Sequence, residues 1–290
     1  MKFVKMQGLG NDFILVDTFQ TSLPVEQSGQ FQNLVQQLCD RHFGIGADGL
    51  ALVLPSEKAE VRMRFFNSDG SEAQMCGNMI RCFAKYVYNS GLVAGPSMQV
   101  ETGAGIVKPE IIADHGDTAL VRVDMGRPRR KREEIPMVGP PGEVLDEELS
   151  LEGQKLRITA ISMGNPHCVL FVPDVNGVAV ETIGSLLENH QLFPEKTNVE
   201  FAEVLSPGEV NLRVWERGVG ETLACGTGAC ATVVAGVLLG RLSRRVTVHL
   251  PGGDLDIEWC QRDEHVYMTG PAVEVFRGEI EWGGRTFETS

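Results

Sequence analysis

Two cysteines, each followed by a glycine, are the residues of this sequence best suited to acid–base chemistry. Cys76 lies in the segment QMCGN and Cys225 lies in LACGTGAC. A thiol is a useful base only when part of it is thiolate, and its ordinary pKa of about 8.5 leaves a few per cent ionised at neutral pH. A helix N-terminus beside the sulfur raises that fraction, because its backbone N–H groups favour an anion.

The segments after the two cysteines predict one helix each. MIRCFAKYVYN follows Cys76 and ends near Gly91, and ACATVVAGVLL follows Cys225 and ends near Gly240, at the same distance from its cysteine. A terminal glycine suits the left-handed conformation in which many helices end. We therefore expect both cysteines to lie at helix starts, where a carboxylate can also bind.

The sequence around the two cysteines contains an internal repeat. RFFNSDGSEAQMCGN aligns without a gap with RVWERGVGETLACGT, a Gly-Asn pair opens an apolar run near the start of each half, and strand-like runs follow each helix in the same order. Single matches are expected by chance in a chain with 33 glycines, whereas these three matches and the equal distance from each cysteine to its glycine, all in one order, favour a duplication. We expect an α/β unit repeated twice, with more strands than helices, in residues 1–127, completed by a C-terminal strand in 277–290, and in residues 128–276.

Two thiols on two pseudo-symmetric halves suggest inversion of an amino-acid α carbon. Inversion needs a base that removes the proton from one face and an acid that delivers a proton to the other face. Oriented N–H donors around the carboxylate would stabilise the carbanion, as in an oxyanion hole. The sequence shows no cofactor motif, so we expect a reaction without a cofactor.

Composition narrows the other possibilities. A net charge of −13 disfavours nucleic-acid binding, and we interpret the one basic run, RPRRKR at 127–132, as a solvated linker. Seven cysteines without a Cys-x-x-Cys pair predict reduced thiols, no disulfide framework and no metal site. No apolar run is long enough for a membrane helix, and the N-terminus lacks the pattern of a signal peptide, so we expect a cytoplasmic protein.

Eight segments of the chain resemble the diaminopimelate epimerase family. They occur in the family's order between residues 8 and 273: GLGNDF, RHFGIGAD, FNSDGSEAQMCGN, SMGNPHCV, PEKTNVEF, ERGVGETLACGTGAC, LPGG and YMTGPAV. The resemblance implies an α+β fold of two pseudo-symmetric domains, each a mixed β barrel around a central helix, with the active site in the cleft between them. It also implies a homodimer without a cofactor that interconverts LL- and meso-diaminopimelate, for lysine and peptidoglycan synthesis.

The same resemblance assigns roles to individual residues. Cys76 and Cys225 would be the acid/base pair, and His167 and Glu216 would tune the pKa of the thiols. Arg217 would hold the distal carboxylate as a bidentate partner. The residues expected to bind substrate are Asn11, Asn67, Gly77, Asn78, Asn165, Asn198, Glu216, Arg217, Gly226 and Thr227.

Ordinary explanations remain open for these residues taken singly. An asparagine often caps a turn, an arginine is usually solvated, and a histidine such as His167 is often structural. Gly49 and Met79 depart from the family, in which some members carry Gln at the first position and many carry Gly at the second; neither departure removes a catalytic group, so both bear on substrate preference rather than on reaction type. The other five cysteines are expected to be structural thiols in apolar surroundings: Cys39, Cys82, Cys168, Cys230 and Cys260.

Four alternatives stay in view. Proline racemases and hydroxyproline epimerases resemble this fold and use paired cysteines, but usually carry Cys-Gly-His where this chain has Cys76-Gly77-Asn78. A phenazine-type isomerase shares the duplication without the two thiols. A non-catalytic amino-acid binding protein could use the same cleft, and a dithiol redox switch could join Cys76 to Cys225.

Overall fold

The structure, a computed structural model, describes residues 1–21, 23 and 28–281. The chain divides into two compact units. Unit 1 comprises Met1–Val121 and the chain from Pro271 onward, and unit 2 comprises Arg122–Gly270. The domain boundaries expected from the sequence lie a few residues further along, and residues 282–290 of the expected C-terminal strand lie outside the described residues.

Unit 1 combines short strands with two helices. The elements are β1 (Lys2–Gly8), β2 (Asn11–Asp17), α1 (Ser28–Cys39), β3 (Gly49–Leu54), β4 (Val61–Asn67), β5 (Glu72–Ala73), α2 (Gly77–Asn89), β6 (Val100–Thr102), β7 (Gly105–Val107), β8 (Pro109–Asp114) and β9 (Thr118–Asp124), the last of which runs into unit 2. The final strand of the chain, β18 (Val266–Glu279), begins in unit 2 and pairs antiparallel with β1 in unit 1.

Unit 2 repeats this order. After a short 3-10 helix (Arg132–Glu134), its elements are β10 (Val144–Leu151), β11 (Gln154–Ser162), β12 (Pro166–Phe171), α3 (Val180–Glu188), β13 (Asn198–Ser206), β14 (Glu209–Glu216), β15 (Gly220–Thr222), α4 (Gly226–Leu238), β16 (Arg245–Leu250) and β17 (Gly253–Trp259). β17 pairs antiparallel with β18.

Strand pairing confirms the duplication. β2 pairs parallel with β3, β3 antiparallel with β4, and β4 parallel with β6. In unit 2 the same three pairings join β12 to β13, β13 to β14 and β14 to β16. The aligned arginines also behave alike, because Arg64 binds Glu72 at 2.8 Å and Arg213 binds Glu221 at 2.7 Å.

In each unit, the central strands have a helix on both faces. In unit 1, Ile14 of β2 and Leu50 of β3 pack with α1, so the alternate residues of these strands face α2. In unit 2, Cys168 of β12 and Phe201 of β13 pack in the cluster that includes α3, and the alternate residues face α4. The strands therefore read as continuous apolar runs such as FILV, as is usual when both faces are buried.

The helices α2 and α4 are enclosed. Ten consecutive residues of α2, from Asn78 to Val87, are buried, and ten residues of α4 are buried as well. The strands around each helix belong to its own unit: α2 packs against β1, β2, β3 and β8, and α4 packs against β11, β12, β13 and β17. This arrangement confirms the expected mixed β architecture around a central helix.

The interpretation of 127–132 as a solvated linker was wrong at Arg132. Its guanidinium is buried and pairs with Glu147, and Ile135 shortly after it belongs to the core of unit 2. Arg127, Arg129 and Lys131 are exposed, as expected. Across the described ranges, no helix is both long and apolar enough to cross a membrane.

Candidate active site

Cys76 is the N-cap residue of α2. Its backbone is extended, with φ −135° and ψ 124°, and its carbonyl accepts the N–H of Ile80 at 2.9 Å to open the helix. Gly91 follows the other end of α2 with φ +72°. The predictions of a helix start at Cys76 and of a left-handed glycine after the helix are confirmed.

Polar side chains of unit 1 meet at the start of α2. The amide nitrogen of Asn78 donates to the side-chain oxygen of Asn11 at 3.4 Å, and Asn11 donates in turn to Asp48. Arg41 binds both Asp48 and Asp12, at 2.8 and 2.6 Å. Two of the predicted substrate residues, Asn11 and Asn78, are thus brought together and oriented by an ion-pair network.

Asn67 makes a different hydrogen bond. It ends β4, is exposed, and donates to the hydroxyl of Ser71 at 3.0 Å. Gly49 lies opposite Asn67 in the β3–β4 register. A Cβ atom on Gly49 would lie 2.6 Å from the carbonyl oxygen of Phe66 and from the ring of Phe65. The glycine at this departure from the family is therefore required by close packing.

Cys225 is the N-cap residue of α4, with an extended backbone at φ −126° and ψ 110°. Its sulfur lies 3.5 Å from the hydroxyl of Thr227. Its thiol also hydrogen-bonds the carboxylate of Glu216, which accepts the hydroxyl of Thr222 at 2.6 Å. The sulfur therefore lies between a hydroxyl that can donate and a carboxylate that accepts.

The surroundings of Cys225 favour the thiol over the thiolate. Burial raises the pKa of Cys225 well above its ordinary value, and the negative charges of Glu216 and Glu200 raise it further. The hydrogen bond with Thr227 acts in the opposite direction. That Glu216 tunes this thiol during catalysis stays a prediction.

A chain of side chains leads away from Thr227. Asn165 donates its amide N–H to the hydroxyl of Thr227 at 3.3 Å, and its amide oxygen lies 3.0 Å from Nε2 of His167. Nδ1 of His167 lies 2.6 Å from Oε1 of Glu200. Both His167 and Glu200 are completely buried.

Glu200 is a polar residue of this site that the sequence reasoning missed. One signal in the sequence pointed to it. Glu200 lies two residues after Asn198 in the strand NVEF, so both face the same side of an otherwise apolar strand. Gly228 lies opposite, where a Cβ atom would come within 2.8 Å of Oε1 of Glu200.

Asn198 and Arg217 are joined in a second arrangement. The side-chain oxygen of Asn198 accepts the backbone N–H of Arg217 at 2.9 Å, and its amide donates to the carbonyl of Pro166 at 2.9 Å. The exposed side chain of Arg217 donates to the carbonyl of Glu195. The buried carboxylate of Glu188 accepts the next N–H along the chain at 3.1 Å, so the turn that carries Arg217 is held from two sides.

Met79 and the remaining cysteines lie largely in the core. Met79 is completely buried within unit 1, so this departure fills the interior. Burial raises the pKa of both Cys39 and Cys82 to about 12, which makes them poor nucleophiles. Cys168 and Cys230 are buried too. The expectation of apolar surroundings was wrong for Cys260, which is partly exposed and hydrogen-bonds Asp263.

The parts of the chain that the structure describes contain no set of side chains suited to bind a metal ion. They contain no cluster of three or more His, Cys, Asp or Glu side chains that could hold an ion. Each unit instead carries one cysteine as the N-cap residue of its enclosed helix.

Comparison with known proteins gives consistent matches. The family described as diaminopimelate epimerase matches residues 3–131 and 159–275. A diaminopimelate epimerase of Moorella thermoacetica is 60% identical over 280 residues, which cover 97% of this chain and 99% of that protein. One of Methanococcus maripaludis is 51% identical over 281 residues, covering 97% of this chain and 100% of that protein.

Solved structures of other enzymes share the fold. A phenazine biosynthesis protein of the PhzF family from Bacillus anthracis superposes with a TM-score of 0.68 at 18% identity, covering 97% of this chain and 99% of that chain. A hydroxyproline epimerase from Agrobacterium vitis gives a TM-score of 0.68 at 15% identity, covering 97% and 90%. At these identities the likeness concerns architecture alone.

Proposed function

This chain belongs to the diaminopimelate epimerase family, and we propose that it interconverts LL- and meso-diaminopimelate by transferring the α proton through Cys76 and Cys225. One cysteine, as thiolate, removes the proton from the α carbon. The other, as thiol, delivers a proton to the opposite face, and the two exchange roles in the reverse reaction. The observation that carries this proposal is the placement of one cysteine at the N-cap of the enclosed helix in each unit.

The contacts of Cys225 support a role as both acid and base. As a thiol, it donates its hydrogen to the carboxylate of Glu216. As a thiolate, it accepts the hydroxyl hydrogen of Thr227, whose oxygen lies 3.5 Å away. A group that must be protonated in one direction and ionised in the other needs both partners.

The helix starts support carboxylate binding at the reacting centre. The enclosed helix of unit 1 begins with Gly77 and Asn78, and that of unit 2 begins with Gly226 and Thr227. The backbone N–H groups of these residues belong to the first turns. N–H groups at such positions bind anions, and they stabilise negative charge as it moves from the α carbon onto the carboxylate. This stabilisation replaces the electron sink that a cofactor would supply.

We further propose that Arg217 binds the distal carboxylate of diaminopimelate. Its turn is held by Asn198 and Glu188, which leaves the guanidinium exposed on a fixed backbone. A planar guanidinium matches a carboxylate in a bidentate pair. Substitution of Arg217 by Ala is expected to raise KM for diaminopimelate more than it lowers kcat.

We also propose that the protein acts in the cytoplasm as a homodimer. The seven free cysteines suit a reducing compartment. Sedimentation equilibrium of the reduced protein tests the second point, because a single species at the monomer mass would contradict it.

The experiment that tests the reaction is α-deuterium exchange. Reduced protein without added cofactor is incubated with LL-diaminopimelate in heavy water, with L-proline and trans-4-hydroxyproline in parallel. Deuterium in the α position together with formation of the meso isomer is expected for diaminopimelate alone. Turnover of proline would mean that the same mechanism acts on another substrate. Absence of deuterium exchange in all three compounds would refute catalysis.

Cysteine variants test the assignment of the two thiols. Replacement of either Cys76 or Cys225 by Ala is expected to abolish epimerisation, because the path loses its acid or its base. The matched control is Cys230→Ala, which removes a buried thiol from α4 and should retain turnover. More than a tenth of wild-type turnover in either catalytic variant would contradict the two-thiol mechanism.

A further inference from the structure

The buried pair of Glu200 and His167 has a cost that the fold does not explain. A carboxyl group without exposure to water is expensive to bury unless its oxygens are hydrogen-bonded. Oε1 of Glu200 contacts His167 at 2.6 Å, but Oε2 is buried without a hydrogen-bond partner among the described residues. Burial accordingly raises the pKa of the Glu200 carboxyl, while His167 acts in the opposite direction.

Unit 1 shows that the same strand pair folds without this polar pair. His167 lies two residues after Asn165, as Phe13 lies two residues after Asn11. In the parallel registers, His167 faces Asn198 and Phe13 faces Gly49. Two residues further along the second strand of each pair stand Glu200 and Ala51, respectively.

The helix residues change in step with the strand residues. The third residue after the cysteine is Gly228 in unit 2 and Met79 in unit 1. Gly228 leaves room for the Glu200 carboxyl, whereas Phe13, Ala51 and Met79 are all completely or almost completely buried. The fold thus accepts an apolar set at this place, so the polar set of unit 2 serves something other than folding.

The positions of the hydrogens along the hydrogen-bonded side chains show what the polar set can do. An amide oxygen only accepts, so the contact of Nε2 of His167 with the oxygen of Asn165 at 3.0 Å requires a hydrogen on Nε2. One more proton is shared between Nδ1 and Oε1 of Glu200. Whether that proton lies on the imidazole or on the carboxyl, Nε2 keeps its hydrogen.

From Nε2 every donor then points towards Cys225. Asn165 accepts from His167 and donates to the hydroxyl of Thr227 at 3.3 Å. The hydroxyl hydrogen is left to point at the sulfur, 3.5 Å away. A chain in this direction stabilises the thiolate and opposes the effects of burial, of Glu216 and of the negative charge of Glu200 itself on the pKa of Cys225.

We propose that Glu200 is a positioning residue: it keeps a hydrogen on Nε2 of His167 and so fixes the direction of the hydrogen-bond chain that ends on Cys225. This inference rests on the proposed function, in which Cys225 must act as a base in one direction. The titratable groups around the sulfur are Glu216 on β14, Glu200 on β13 and His167 on β12.

The first test reads the histidine directly, without substrate. Protein labelled with ¹⁵N-histidine is compared with Glu200→Gln, and the loss of a signal in His167→Phe assigns the resonance. We expect a hydrogen fixed on Nε2 in the unaltered protein and a mixture of the two neutral tautomers in Glu200→Gln, because an amide can either donate to Nδ1 or accept from it. The same state of His167 in both proteins would overturn the proposal.

The second test separates kcat from KM. At metal sites, loss of the residue that orients a ligating histidine typically lowers activity or metal affinity ten- to a hundredfold. Glu200 orients His167 in the same way, so we expect kcat of Glu200→Gln to fall by about tenfold in both directions, with KM within about twofold. Glu203→Gln, on the same strand but facing the other way, is the matched control and should keep kcat. Unchanged kcat in Glu200→Gln, or an equal loss in Glu203→Gln, would overturn the proposal.

A third variant guards against a folding defect. His167→Phe, Glu200→Ala and Gly228→Met together install the apolar set of unit 1, and we expect this protein to melt as cooperatively as the unaltered one, with kcat at least as low as in Glu200→Gln. Recovery of kcat would overturn the proposal. If the unaltered protein fails to epimerise diaminopimelate, the proposed function fails, while the histidine spectrum still decides whether Glu200 sets the state of His167.

Discussion

Gly49 occupies a place in unit 1 where even a methyl group does not fit. A Cβ atom there would lie 2.6 Å from the carbonyl oxygen of Phe66 and 2.6 Å from Cε2 of Phe65. Neither atom is the end of a flexible side chain. The ring of Phe65 is fixed edge-to-face against Phe13, with centroids 5.8 Å apart. We therefore expect Gly49→Ala to force apart the strands β3 and β4.

The size of the effect follows from overpacking. An inserted methyl group in a well-packed core costs about 1–3 kcal/mol. In a domain of this size, each kcal/mol lowers Tm by roughly 2–4 °C, so we expect a decrease of roughly 2–12 °C. Gly49→Gln, which installs the residue of some family members, should be at least as damaging and should also raise KM, because Asn67 lies opposite in the register.

The measurement is thermal and urea unfolding of Gly49→Ala beside Gly95→Ala. Gly95 is the matched control, because a Cβ atom there meets nothing within 4 Å and its φ is not positive. Gly95→Ala should be neutral or slightly stabilising, since alanine reduces the freedom of the unfolded chain. Equal unfolding midpoints for the two variants would show that β3 and β4 have room for a side chain, and the packing argument would be refuted.

Three further predictions concern stability and substrate binding. The pKa of Cys82 is raised to about 12 in the folded protein, so its contribution to stability is present below about pH 9 and is lost as the pH rises towards 12. In urea titrations above pH 9, the free energy of unfolding should therefore fall less steeply with pH in Cys82→Ala than in the unaltered protein. Identical slopes in the two proteins would contradict this. Glu188→Gln should raise KM several-fold and change kcat by less than about twofold, because the turn carrying Arg217 loses a charge-assisted hydrogen bond; steady-state kinetics would exclude this role if KM were unchanged. Arg213→Lys should lower the free energy of unfolding by about 1 kcal/mol, because lysine cannot form the two-point contact with Glu221, and full stability in urea would count against it.

Local signals in the sequence predicted the two helix starts well. Gly91 and Gly240 adopt positive φ after α2 and α4, and both cysteines are N-cap residues, because capping depends on a few neighbouring residues. The polar stretch after Arg127 was harder to interpret. Arg132 is buried because Glu147 on β10 pairs with it, and that contact depends on a strand register that composition does not reveal.

The sequence alone determined the duplication and the placement of a thiol at the start of each enclosed helix, since both follow from repeated local patterns. Only the tertiary structure decided which polar groups act on Cys225. Glu200 reaches His167 because β12 and β13 pair in parallel across the connection that contains α3, and Gly228 of α4 leaves the space. Such a meeting depends on register and on the volume of a third element, so no single stretch of the chain encodes it.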